Sequence, residues 1–221
     1  VHDLVIDGVS LSDAVSLHAS EFLECDDLQT VQLSYLDEQV LISRNDDVGV
    51  VGFDVRAPTT LDTALRERLA ATGAVSVDER VLEILRVEAG RPLFPVDLDE
   101  RTIPLEAGIE DRAISLTKGC YVGQEVIIRI LHRGQGKVAR KLVGLTVMEA
   151  ASTVPIRNAK LFDNEKEVGH ITSAVQSPAL GCPIALGYVH RDYAAPGMQV
   201  QIQDQSHGQT GTVTKLPFIT P

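Results

Sequence analysis

Lys118-Gly119-Cys120-Tyr121-Val122-Gly123-Gln124-Glu125 sets a thiol between two glycines, directly ahead of an apolar run with helical spacing. In that run Val126, Ile127, Ile130 and Leu131 fall on one face at a 3.6-residue period, and Gly134 and Gly136 supply the stop signal. Cys120 is therefore expected just before a helix N-terminus, where unpaired N–H groups and the macrodipole favour an anion. Lys118 adds a positive charge close by, and such surroundings lower a thiol pKa. Gly119 and Gly123 leave the backbone free to take φ > 0 or to approach a ligand closely. The competing reading of a lone cysteine is a small buried apolar residue.

A chain of 221 residues, 44% hydrophobic, has length for one or two domains with a real core. It contains no apolar stretch of the ~18 residues that a membrane span requires, and no signal-peptide pattern opens it. It begins at Val1 rather than Met, and an N-terminal portion is expected to be absent. Cys25, Cys120 and Cys182 show neither a C-x-x-C spacing nor a metal-ligand spacing. Reduced thiols and a cytoplasmic protein are expected, with no metal site. The net charge of −11 is uneven: residues 1–54 carry 12 acids against Arg44 alone, and the remainder balances. Val126 to Met148 has no acid but holds Arg129, Arg133, Lys137, Arg140, Lys141 and His132. An acidic protein is a poor direct ligand for nucleic acid, yet this local patch could attract a smaller anion or be a solvated face.

Read in order, Leu4–Ile6 is a short strand candidate, and Ser10–Leu23 fits either a helix or a strand. Val31-Leu33-Tyr35 alternates, a turn at Asp37-Glu38 and a strand at Val40–Ser43 follow, and Val48–Ala57 is a further strand with Asp54 and Arg56 on one face. Thr59 or Thr60 caps a helix that ends at Gly73, Ala74–Val77 is a short strand, and Asp78 caps a second helix. Pro92 to Gly108 lacks periodicity and is a long connection, and Arg112–Leu116 reads as a strand. Asp97, Asp99 and Glu100 form a carboxylate cluster best explained as a solvated loop. After Gly136 six short strands separated by turn clusters predict a small barrel: Leu142–Val147, Lys160–Phe162, Glu167–Ser173, Pro183–Val189, Gln199–Ile202 and Gly211–Lys215. The fold class is α+β, with a mixed domain over residues 1–136 and a C-terminal β-barrel over 137–221.

The opening octapeptide resembles the K-G-C-Y-x-G-Q-E signature of YgfZ-type folate-binding proteins, relatives of the aminomethyltransferase (T-protein) of the glycine cleavage system. Leu85-Arg86-Val87-Glu88-Ala89-Gly90 with Pro92-Leu93-Phe94 is similar to the superfamily's L-R-x-E-x-G-x-P-L segment. Gly49 to Asp54 is similar to its T-G-x-x-G-Y-E strand, and Gly169 to Leu180 and Pro217-Phe218 are similar to its C-terminal barrel. The resemblance implies a folate-binding body, N-terminally incomplete here, with tetrahydrofolate or a one-carbon derivative as cofactor. It also implies a role in assembling or repairing iron–sulfur enzymes, whose proteins or assembly factors would be partners.

By the same resemblance Asp54, standing where the family has Glu, binds the pterin amidine edge. Arg86 is a second folate contact with Glu88 holding it in place, although the pair could equally be an ordinary surface one. Lys118 and Tyr121 lie beside the cofactor, and Cys120 is the functional thiol. The alternatives are a folate-dependent aminomethyltransferase, against which the K-G-C-Y form counts, and a non-enzymatic binding module with a vestigial folate site.

Overall fold

The computed structural model describes residues 29–132, 134, 136–147, 153–203 and 208–220. The expectations for Leu4–Ile6, Ser10–Leu23, Cys25 and Arg133 lie outside them. The chain forms two compact units that part between Leu85 and Arg86. The expected boundary after residue 136 falls within the second unit, just ahead of its barrel.

The first unit carries three antiparallel strands in the order β1 (Thr30–Tyr35), β2 (Glu38–Asn45), β3 (Gly52–Arg56). Leu36 and Asp37, at φ 50° and 64°, form the two-residue turn between β1 and β2. Positive φ at both central residues matches the twist of the flanking strands. Residues 46–49 turn before β3, with Gly49 N–H donating to Asp46 O at 3.0 Å, so the strand expected from Val48 begins only at Gly52. A 3-10 turn at Thr59–Leu61 leads into α1 (Asp62–Ala71). Val40, Ile42, Phe53, Leu61 and Leu69 form the buried core under this sheet. The strand expected over Ala74–Val77 does not form: Val75 and Val77 remain exposed, with no ladder partner among the described residues. Asp78 starts α2 (Glu79–Glu88) as expected, its Oδ1 accepting from the N–H groups of Arg80 and Val81.

The second unit begins in the last turn of α2. Gly90, at φ 66°, ends that helix, and Arg91 N–H returns to Arg86 O at 2.8 Å. Two short helices follow, α3 (Pro104–Ala107) and α4 (Glu110–Ala113), then α5 (Gln124–His132). The strand expected over Arg112–Leu116 is in fact the end of α4 and an irregular segment. Six strands then close a barrel: β4 (Arg140–Thr146), β5 (Lys160–Asp163), β6 (Lys166–Gln176), β7 (Pro183–His190), β8 (Gln199–Gln203) and β9 (Gly208–Thr214). Their order is β4-β7-β6-β5-β8-β9, and β4 closes the ring by pairing with both β7 and β9. Closure leaves no unpaired edge. Alternate residues, among them Leu145, Leu161, Ile171, Val200, Ile202 and Val213, fill the interior. The predicted α+β class and six-stranded barrel are both present.

Opposite β7, strand β6 slips register between Ile171 and Ser173, which makes Thr172 the extra residue of a bulge. Three consecutive side chains, Ile171, Thr172 and Ser173, are buried there, so the strict in-and-out alternation is broken.

Candidate functional site

Around Cys120 the local architecture follows from Tyr121. The Tyr121 ring packs against the cluster of Leu105, Ile127 and Val138, joined by Ile130 and Leu131 of α5. Tyr121 N–H donates to Gln124 Oε1 at 3.3 Å, the reciprocal half of a capping box, and this fixes the entry into α5. With Tyr121 turned inward, its neighbours Cys120 and Val122 face out: the thiol is exposed and Val122 is fully exposed. Cys120 therefore stands four residues ahead of α5, reachable from solvent and not packed into a core. Lys118 Nζ lies 4.9 Å from the centroid of the Tyr121 ring, within cation–π range. Cys120, Lys118 and Tyr121 are thus brought together. Of the four residues expected on the apolar face of α5, Val126 remains exposed, because the buried stripe runs through Ile127, Ile130 and Leu131.

Asp54 sits half-buried at the centre of β3, opposite Ser43 of β2. Its Oδ2 accepts from Asn45 Nδ2 at 2.9 Å. One carboxylate oxygen and the remaining lone pairs are available to further donors.

Arg86 is in a different position from that expected of a ligand contact. The residue is 7% exposed, and its guanidinium donates from Nη1 to Asp97 Oδ2 at 2.7 Å and to Arg91 O at 3.0 Å. Nη2 donates to Ser173 Oγ at 2.7 Å. Asp97, 2% exposed, also accepts from the Leu93 N–H at 3.0 Å, from Ser173 Oγ at 2.7 Å and from Thr172 Oγ1 at 2.5 Å. The residue that holds Arg86 is therefore Asp97 and not Glu88. Glu88 instead accepts from Ser177 Oγ, whose oxygen also takes the Leu180 N–H at 3.0 Å. The bulge explains why two adjacent β6 hydroxyls reach one carboxylate: Thr172 and Ser173 are both turned to it where a regular strand would alternate.

The carboxylate cluster read as a solvated loop divides accordingly. Asp97 is deeply buried. Asp99 is exposed and shapes a turn, accepting from Arg101 N–H at 2.9 Å and Thr102 Oγ1 at 3.0 Å. The Arg101 N–H bond, with the Thr102 hydroxyl next, holds its pKa below the ordinary value. Sequence reasoning missed Asp97, Thr172 and Ser173. The one available signal was that Asp97 closes an apolar Leu93-Phe94-Pro95-Val96 run, unlike its neighbours Asp99 and Glu100.

A second polar group lies on the barrel wall. Arg140 donates from Nε to Glu106 Oε2 at 2.9 Å and stacks its guanidinium 4.7 Å from the Tyr188 ring centroid. Burial pushes the Tyr188 phenol up to about 12. His170 stacks on the same ring at 6.0 Å, and its pKa is lowered, first by burial and then by the positive Arg140. Among the described residues no cluster of His, Cys, Asp and Glu is disposed to hold a metal ion. No helix among them is long and apolar enough to cross a membrane.

Comparison with known proteins adds a finding that the geometry does not contain. Residues 140–219 match the family model of the glycine cleavage T-protein C-terminal barrel domain. The chain is 32% identical over 185 residues to an aminomethyltransferase of Halothermothrix orenii, covering 82% of this chain and 50% of that protein. An aminomethyltransferase of Thermosynechococcus vestitus is 30% identical over 186 residues, covering 84% and 49% respectively. The crystal structure of the glycine cleavage system aminomethyltransferase T from Bartonella henselae superposes with a TM-score of 0.77 at 28% identity, over 90% of this chain and 54% of that one. The chain spans about half the length of the curated relatives it matches. Sequence and fold together support a place in the aminomethyltransferase superfamily.

Proposed function

We propose that this chain binds tetrahydrofolate and serves a folate-dependent one-carbon transfer of the aminomethyltransferase type. The observation that carries this reading is the joint likeness to aminomethyltransferases in sequence and in fold, over 82% and 90% of the chain respectively. In that chemistry the carbon–sulfur and carbon–nitrogen bonds of a lipoyl-bound aminomethyl group break, two folate nitrogens bond the carbon, and their two protons leave on the lipoyl thiol and on ammonia.

The residues differ in how well they suit the cofactor. The Asp54 carboxylate keeps acceptor capacity beyond its Asn45 bond, as a pair of N–H donors on a pterin edge requires. Arg86 does not suit a folate contact, since it is buried and Asp97, Ser173 and the Arg91 carbonyl take three of its five N–H donors. We assign it to positioning: it holds the Arg91–Asp97 loop to β6. Lys118 and Tyr121 remain candidate contacts on one side of the exposed thiol. Calorimetric titration with tetrahydrofolate is expected to give saturable binding that Asp54→Asn weakens about tenfold, the loss of one charged acceptor. Ammonia release dependent on tetrahydrofolate and an aminomethyl-loaded lipoyl protein tests the reaction itself. No folate binding would leave a binding module with a vestigial site.

A second reading is favoured by one specific observation, the exposure of Cys120 within Lys118–Glu125. On this reading the folate protein is a YgfZ-type accessory factor whose thiol supports iron–sulfur enzymes, and those enzymes or their assembly factors are its partners. Cys120→Ser would then abolish that support while leaving folate binding unchanged. Ammonia release without any effect of Cys120→Ser would instead favour the transferase.

A further inference from the structure

We propose that the cleft between the end of α5 and the β7 corner binds a small polyanion, one carrying two or more phosphate or carboxylate groups. The cleft has a volume of about 450 Å³ and is lined by Gly136, Lys137, Val138, Lys141, Arg191 and Asp192. It lies wholly within the second unit and is independent of the folate reading.

The acid-free segment Val126–Met148 delivers its cations to two different places. Arg140 is taken up by Glu106 and the Tyr188 ring. Lys137 and Lys141 line the cleft, and neither has an ion-pair partner among the described residues. Arg191 joins them from the β7 corner. The single carboxylate among the lining residues, Asp192, lies 3.7 Å from Arg191 Nε, and its backbone N–H donates to His190 Nδ1 at 3.4 Å. Three cations thus line one cleft with a single counter-charge, set beside Arg191, and a bound anion relieves the repulsion that remains.

The end of α5 is closed by backbone donors and not by these lysines. Gly134 N–H donates to Arg129 O and Gly136 N–H to Ile130 O, so two of the last four carbonyls are met by backbone donors. The walls are held by the fold. Val138 is buried against Leu105 and Ile127, Arg191 N–H bonds Ala139 O at 3.1 Å, and Lys141 lies opposite Val189 in the β4–β7 ladder. A preformed site for more than one anionic group follows, since a single anion would leave a lysine unpaired.

The test is calorimetric titration of the protein with inorganic pyrophosphate and, separately, with tricarballylate, at about 50 mM ionic strength to limit screening. At least one probe is expected to bind saturably at one site. The paired substitution Lys137→Gln and Lys141→Gln should weaken it about tenfold or more while circular dichroism stays unchanged. Lys160→Gln, whose lysine pairs with Glu167 and does not line the cleft, should leave affinity as it was. Asp54→Asn should do the same, which separates this site from the folate reading. Binding of pyrophosphate alone identifies a phosphate ligand, and binding of tricarballylate alone a carboxylate one. No saturable binding of either probe, or equal losses in the paired variant and in Lys160→Gln, overturns the proposal.

Discussion

Asp97→Ala is the substitution whose cost the structure fixes best. It removes the counter-charge of Arg86, a residue that is only 7% exposed. Breaking one side of a buried ion pair costs roughly 3–5 kcal/mol, because the remaining charge stays buried and unpaired. Three further donors lose their acceptor: the Leu93 N–H and the hydroxyls of Thr172 and Ser173. Thr172 can fall back on Leu186 O, already 3.2 Å away, so the hydroxyl losses are partly recovered. A net cost of about 4 kcal/mol is expected, a large share of an ordinary domain's stability. With a urea m-value of about 2 kcal/mol/M, the unfolding midpoint should fall by about 2 M. Urea titration followed by circular dichroism measures this, and hydrogen exchange in β6 peptides assigns the transition to the barrel unit. The double variant Arg86→Met with Asp97→Leu should recover most of the loss, since apolar replacement of both partners of a buried pair is often neutral or better. A cost for Asp97→Ala below about 1 kcal/mol, or a double variant as unstable as the two single losses added, would refute the network as the link between loop and barrel.

Three other outcomes follow from separate features. Gly169→Ala places a Cβ 1.9 Å from the Tyr188 carbonyl oxygen, a backbone atom that cannot step aside. Thermal denaturation should show a loss of about 3 kcal/mol or more, or no folded barrel at all. Tyr188 keeps its proton to about pH 12 in the folded state, where an unfolded tyrosine releases it near 10. Stability should therefore fall as pH rises from 10 to 12, and Tyr188→Phe should remove both that slope and the late phase in the 295 nm absorbance titration. Iodoacetamide should alkylate Cys120 faster than Cys182, which is only half-exposed, as peptide mass mapping will report; unchanged unfolding of Cys120→Ser would confirm that the thiol carries no packing.

The barrel was legible because its signal is local. Alternating apolar residues separated by turn clusters define each strand, and six such segments at short spacing leave few ways to bury their inner faces except by closure. The helix α5 that follows Cys120 was legible for the same reason, from its apolar period. The Ala74–Val77 strand failed because β-propensity without a partner strand gives no ladder, and those valines stay in water. Arg112–Leu116 failed because the segment after Gly108 turns into α4, whose short length gives no readable period.

The chemistry around Arg86 was illegible for a different reason, one of distance along the chain. In sequence, Arg86 and Glu88 are two charges near a helix end with a proline-rich run behind them, and nothing local separates a surface pair from a ligand contact. What decides between them is Ser173, 87 residues away, and the bulge at Thr172 that turns two neighbouring hydroxyls toward one carboxylate. A bulge leaves no mark on composition or period, since it is an extra residue in a pairing and not a residue type. The same pattern that makes L-R-x-E look like a binding motif is therefore satisfied by a wholly internal network. A buried arginine with Asp97, a hydroxyl and a carbonyl already on its donors has little left to offer a cofactor. Asp54, with one oxygen uncommitted, and Cys120, open to solvent, are the two predicted residues whose chemistry is still available, and each calls for its own measurement.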